Sequence, residues 1–202
     1  MFTKKNQNCG VTLVELIVFI VVVSVALAGV LKSLEVVTKS SADPLVRKQA
    51  LAIAESLLSE IEQQPFTYCD PNDVNASSAT STAGCTGGIA GSEDANGGPF
   101  TGPMPASESR YSLTDPFDNV ADYGNFQMPG NGCNGICNLG DSAPLPGLNS
   151  YTASVTITRA GNAAPFSTIP IDAALKISIV VKGPANTIVN LTGYRFRYAP
   201  NI

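Results

Sequence analysis

The sequence predicts an α+β protein: a long N-terminal helix packs on a C-terminal antiparallel β-sheet, with a long loop region restrained by disulfides. Three observations predict it. Residues 11–31 form an almost unbroken apolar run, apolar residues recur at helical spacing from Ala50 to Ile61, and apolar and polar residues alternate through the C-terminal quarter.

Residues 11–31 (VTLVELIVFIVVVSVALAGVL) hold no proline, and their one charge is Glu15. At 1.5 Å per residue they span roughly 31 Å, close to the hydrocarbon thickness of a bilayer. Many are β-branched, which in a short soluble segment would suggest a strand. The length argues for a helix in lipid, where every backbone N–H and C=O must be satisfied within the segment. Glu15 is costly in such a run, by about 2–3 kcal/mol, unless it sits at head-group level or meets a partner. Residues 1–10 (MFTKKNQNCG) are polar and carry Lys4 and Lys5, which place the N-terminus in the cytoplasm and the rest of the chain across the membrane. A secretory signal would have a shorter apolar core ending in a small-residue cleavage site, and this run passes straight into another helical pattern.

From 32 to 64 the chain is amphipathic. Ala50, Ile53, Ala54, Leu57, Leu58 and Ile61 share one face, while Lys48, Glu55, Ser59, Glu60 and Glu62 fall mostly on others. Within this segment Asp43 is a good N-cap and Pro44 a good first-turn residue, so either a new helix starts there or one long helix kinks at Pro44; both readings leave a bend. Pro65 ends the helix.

Residues 65–202 read as an exported globular domain. Its part from 69 to 147 holds most of the glycines and more than half of the prolines, with a single basic residue, Arg110, among many acids. That composition predicts turns and irregular loops, mobile above all at 76–98. Cys69, Cys85, Cys133 and Cys137 lie here, an even set that reads as disulfides. Three connectivities are open, and proximity favours Cys69–Cys85 with Cys133–Cys137. Zinc is the weaker reading, because the Cys133–Cys137 spacing is long and the chain has no histidine. Cys9 precedes the apolar run, so it does not fit a lipid-modified cysteine, which follows one.

The acidic stretch Asp115-Pro116-Phe117-Asp118-Asn119-Val120-Ala121-Asp122-Tyr123-Gly124 supports two readings. Asp115, Asp118, Asn119 and Asp122 can turn several oxygens to one side, as a calcium site requires. Equally, Asp and Asn are turn and cap residues that hold Phe117, Val120 and Tyr123 against a core. Strands follow between 149 and 198. Tyr151, Ala153, Val155 and Ile157 alternate with polar residues, as do Leu175, Ile177, Ile179 and Val181. After the turn at Gly183-Pro184-Ala185-Asn186, Ile188, Tyr194, Phe196 and Tyr198 alternate with Arg195 and Arg197. The helical stripe at 50–61 is the natural cover for their buried face.

The formal charge is −4, and loss of Lys4 and Lys5 would make it more negative. A net acidic chain gives no reason to expect nucleic acid as a partner. Absence of histidine removes the commonest general base and metal ligand. The glycine clusters at 87–88 and 97–98 neither follow a strand nor open a helix, so they are not phosphate loops. No enzyme and no obligatory cofactor is expected.

The order Gly10-Val11-Thr12-Leu13-Val14-Glu15 ahead of the apolar run resembles the type IV prepilin signal. The resemblance implies cleavage by a prepilin peptidase between Gly10 and Val11, methylation of Val11, and a registration role for Glu15, which pairs with the N-terminus of a neighbouring subunit. Val11 departs mildly from the pattern, which more often has phenylalanine or methionine there. An N-terminal helix on an antiparallel sheet is also the pilin architecture. Asp118-Asn119-Val120-Ala121-Asp122-Tyr123 is similar to the DDVDDY segment of the D-type minor pilins of mannose-sensitive haemagglutinin (MSHA) pili, with Asn119 and Ala121 departing from it. The break at 41–44 is similar to those proteins too. The resemblance implies a minor pilin in the inner membrane that joins a surface filament with other pilin subunits, through membrane lipid and the inner-membrane assembly machinery. A type II secretion pseudopilin, a group in which some members bind calcium, would share this N-terminus. A membrane-anchored binding domain that never polymerises is the alternative of a different class.

Overall fold

The computed structural model of the chain describes residues 12–94 and 97–197, the side chains of 36–43 excepted. Helix α1 runs over Leu13–Gln63 with Pro44 inside it. The chain divides into two compact units between Pro44 and Leu45. Asp43 as an N-cap falls on a side chain outside those described.

In the first unit, Leu13–Glu35 is long and apolar enough to cross a membrane, with a mean hydropathy of 2.9, and none of it is buried by the chain. Leu13 and Leu31 stand 73% and 67% exposed. Ser24 donates its hydroxyl to the Ile20 carbonyl at 2.7 Å, so the one polar side chain between Leu16 and Leu31 is satisfied by its own helix.

In the second unit, Ala50, Ile53, Ala54, Leu57 and Ile61 of α1 are buried and Leu58 half-buried, the face expected from their spacing. They pack in one core with a four-stranded antiparallel sheet in the order β1 (Gln127–Met128), β2 (Thr152–Arg159), β3 (Ala174–Lys182), β4 (Ile188–Phe196). Ala153, Val155 and Ile157 on β2 sit opposite Val181, Ile179 and Ile177 on β3. All six are buried, each contributing about 1.5–3 kcal/mol for an aliphatic side chain larger than alanine. The α+β architecture and both proximity disulfides, Cys69–Cys85 and Cys133–Cys137, are present.

β4 differs from its expected facing. Val189, Leu191, Gly193 and Arg195 are in register with Val181, Ile179, Ile177 and Leu175 of β3, so they share the core face, and Ile188, Tyr194 and Phe196 lie on the other. Three contacts explain the reversal. Arg195 donates from Nε and Nη2 to the Gln64 carbonyl just beyond α1, at 3.2 and 3.0 Å. Gly193 lets the helix come close: a Cβ there would stand 2.4 Å from Glu62 Oε1 and 2.6 Å from Leu58 Cδ1. The displaced aromatics meet Phe166 edge-on, each at 5.0 Å between ring centroids. Tyr198 lies outside the described residues.

The region from 69 to 147 is packed where its composition suggests loose loops. It adds Phe100, Phe117, Val120, Ala121, Tyr123, Phe126, Met128 and Ile136 to the main core, and it supplies the short edge strand β1. Within 76–98, Ala79, Cys85, Ser92, Glu93 and Asp94 are buried, and Ala79 forms a small second cluster with the Cys69–Cys85 bridge. Three ion pairs pin the segment to α1 and to the ends of β2 and β4. Arg110, its single basic residue, grips Glu60 of α1 through Nε and Nη2 at 2.6 and 2.7 Å, and its Nη1 donates to the Cys137 carbonyl at 2.9 Å. Asp94 pairs with Arg159 at the end of β2 and with Arg197 just after β4. Arg197 lies over Phe66 and Tyr68, and Arg159 over Phe100.

Candidate functional site

Gly10 and Val11 lie outside the described residues. Just beyond them, Thr12 caps α1: its Oγ1 accepts the Glu15 N–H at 3.3 Å, and its carbonyl accepts the Leu16 N–H at 3.1 Å. Thr12-x-x-Glu15 has the spacing of a capping box, and an acid in the first turn is favoured by the helix dipole. The Glu15 carboxylate is exposed and accepts no hydrogen bond among the described residues.

The second candidate lies in the loop region of the globular unit. Val120–Tyr123 is a short 3-10 helix capped from both sides. Asn119 Oδ1 accepts the Ala121 N–H at 3.2 Å, and Asp122 Oδ2 accepts the Asn119 N–H at 2.7 Å and the Asp118 N–H at 3.1 Å. Asn119 Nδ2 donates to Thr67 Oγ1 at 2.9 Å. The capping sets Phe117 and Tyr123 into the core, edge to face at 5.0 Å. Asn119 therefore serves the turn, and Asp115 joins neither group of converging acids, its backbone carbonyl accepting the Ser109 N–H at 3.1 Å.

Asp118 and Asp122 do converge, and they converge with acids far away in sequence. One oxygen each from Glu108, Asp118 and Asp122 lie within 4.8 Å of one another, and so do oxygens of Asp70, Glu93 and Glu108. Glu108 belongs to both groups, so five carboxylates form one nest. Glu93, Glu108 and Asp122 are buried at 1%, 5% and 1% exposure. Asp122 is served by backbone N–H groups, including that of Met104 at 3.4 Å, and Asn72 donates its amide to Asp118 Oδ2 at 2.8 Å. Both oxygens of Glu93, both of Glu108 and Oδ1 of Asp118 are buried and meet no N–H, hydroxyl or basic group.

The electrostatics follow. Burial, and then the charges of Asp122 and Glu108, push the Glu93 carboxyl up to about 11. Burial, then Asp122 and Asp118, push Glu108 up to about 9. Asp118 rises to about 6 through burial and the charges of Asp70 and Asp122. Burial raises Asp122 as well, opposed by the N–H groups that cap it and by a hydrogen bond with the Glu93 carboxyl. The three arginines around this region are committed to Glu60 and Asp94. The nest therefore offers oxygen ligands and negative charge; it holds neither thiol nor imidazole.

Asp70, Glu93 and Glu108 carried no signal of this kind. Asp70 lies between Cys69 and Pro71, Glu93 between Ser92 and Asp94, and Glu108 between two serines, settings in which an acid reads as a solvated loop residue, and no local spacing links them to Asp122.

Residues 5–31 match a family model described as the prokaryotic N-terminal methylation motif, a segment that takes in Gly10, Val11 and Glu15. No curated protein and no solved structure matches the chain.

Proposed function

We propose that this chain is a type IV pilin-like subunit: cut between Gly10 and Val11 by a prepilin peptidase, methylated at Val11, and drawn from the inner membrane into a filament with other pilin subunits. Its motif match over residues 5–31 carries this reading, because the match coincides with the bare apolar helix that filament packing needs. Cleavage leaves an ammonium on Val11, one turn from Glu15. In a low-dielectric filament core, the Glu15 of one copy and the new N-terminus of the next would offset each other's desolvation, whereas either alone would be penalised. The charge then acts as a register mark for stacking helices.

Within this class we read the chain as a minor pilin of the MSHA D-like type. Asp118, Val120, Asp122 and Tyr123 support that narrower reading, as does a loop region large enough to supply about a third of the core. Export across the inner membrane agrees with two disulfides in the globular unit. A type II secretion pseudopilin shares the same N-terminus, and genes neighbouring the coding sequence separate the two.

The deciding experiment is the intact mass of the protein recovered from a cell with an active prepilin peptidase. Loss of residues 1–10 together with one added methyl group is expected. A retained leader would instead make the chain a membrane-anchored domain that does not polymerise.

A further inference from the structure

We propose that Asp70, Glu93, Glu108, Asp118 and Asp122 form a binding site for a divalent cation of the hard, oxygen-seeking class, namely calcium.

The first observation is geometric. Calcium–oxygen bonds are about 2.4 Å long, so two oxygens on opposite sides of one ion stand about 4.8 Å apart. One oxygen from each acid of both overlapping trios meets that limit. The ligands come from four separate places in the chain, at 70, 93, 108 and 118–122, so the fold and not a local turn brings them together.

The second observation is the state of the oxygens. Glu93 and Glu108 are more than nine-tenths buried, and none of their four oxygens meets an N–H, hydroxyl or basic group, their hydrogen-bonding neighbour being the Asp122 carboxyl; Asp118 Oδ1 adds a fifth oxygen without a donor. Leaving one ionised carboxylate buried without a partner costs several kcal/mol. Elsewhere this same chain answers its buried acids: Glu60 with Arg110 and Tyr123, Asp94 with Arg159 and Arg197. In the nest no basic side chain is placed to do so among the described residues. Protons on Glu93 and Glu108 would quiet two acids and leave three facing them. A dipositive ion satisfies the bare oxygens and lowers the charge of all five at once.

The ligand chemistry selects the ion. Oxygen donors alone disfavour zinc and copper, which seek thiolate and imidazole. Carboxylates from five residues suit the irregular six- to eight-oxygen shell of calcium better than the strict octahedron of magnesium, which prefers to keep its waters. An approach from outside exists: a recess of about 250 Å³ has Asp70, Asn72 and Met104 among its walls. Asn72 and Met104 also touch Asp118 and Asp122, so the recess and the nest share their border.

The test uses the full chain in detergent micelles, stripped with EDTA and desalted. Titrated with CaCl2 at neutral pH, it is expected to take up about one ion and to gain roughly 5 °C in melting temperature at saturation. Glu93→Gln combined with Glu108→Gln is expected to fold and to lose calcium affinity at least about 100-fold, because ligand charge sets the affinity of such sites. Should that pair fail to fold, Asp118→Asn changes a half-exposed ligand and is expected to weaken binding about tenfold. Exposed Glu55→Gln, on α1 and outside the nest, is expected to respond like the wild type. Wild-type protein with no heat of binding and an unmoved melting temperature would overturn the site, as would a double glutamine variant that responds fully. Magnesium binding as tightly as calcium would overturn the choice of ion. None of these readouts depends on leader cleavage.

Discussion

Two glutamates on the same helix are treated in opposite ways. Glu60 is held by both arms of Arg110 and by the hydroxyl of Tyr123 at 2.8 Å, on a face whose apolar neighbours are all covered. Glu15 stands at the head of a stretch whose apolar side chains the chain leaves bare, and its carboxylate has no partner among the described residues. The globular unit supplies its own core, caps and ion pairs, the acidic nest apart. The apolar half of α1 is left bare by the chain, and on the proposed function lipid and then other copies would complete it. Stability and assembly are therefore written on different stretches of one helix, and single substitutions should separate them.

The largest effect is expected from Glu15→Ala. Incorporation into filaments should fall about 100-fold or more, the consequence of leaving one charge of a buried pair unanswered. Processing of the leader and the melting temperature of the globular unit should stay unchanged, and quantitative immunoblots of sheared filaments against whole cells would read the difference. Normal incorporation would break the comparison. Arg110→Ala should do the converse, costing about 3–5 kcal/mol of stability in denaturant unfolding because Glu60 is left half-buried and unpaired. Replacing Cys69 and Cys85 together by serine should cost up to about 3 kcal/mol, since the bridge closes a loop with a sequence separation of 16.

A pH series sharpens the comparison further. Glu93, Glu108 and Asp118 have folded-state values of about 11, 9 and 6, all above their unfolded values. In EDTA the folded chain therefore keeps protons that the unfolded chain has released. Their stabilisation is complete below about pH 4 and is lost as pH rises through 6 and 9. The groups facing them, Asp70 and Asp122 with Asp115 acting on Asp118, are acids too and reinforce the sign. Melting temperature should thus decline from pH 5 to pH 9 in EDTA and decline less in calcium. A rise over that range without metal would contradict the assignment of these acids.

The parts of this fold that were legible beforehand are those with a local period. The stripe at Ala50–Ile61 and the alternation at Ala153–Ile157 and Leu175–Val181 each follow from one face meeting a core. β4 was misfaced because the rule that large apolar residues go inward was overruled by close helix contact at Gly193 and by a hydrogen bond from Arg195 to the Gln64 carbonyl. The loop region was legible in its disulfides and hardly at all in its burial. Gly- and Pro-rich composition reports turns, and turns can still aim Phe117, Tyr123 and Phe126 at one point. The acidic nest was half visible, through Asp118 and Asp122. Its deepest members were not, since contacts between distant loops leave no spacing to read.

Gly193 has a consequence for how the molecule can vary. The distance between helix and sheet is gauged there by a missing atom group, so the position works like a fixed shim of zero thickness. A side chain at 193 would press on the tips of Leu58 and Glu62, two flexible side chains that must turn aside to admit it, close to where Gln64 receives Arg195. Drift in sequence can exchange aliphatic for aliphatic along the inner face of β2 and β3, while at 193 every added atom must be matched by a shift of those two helix side chains.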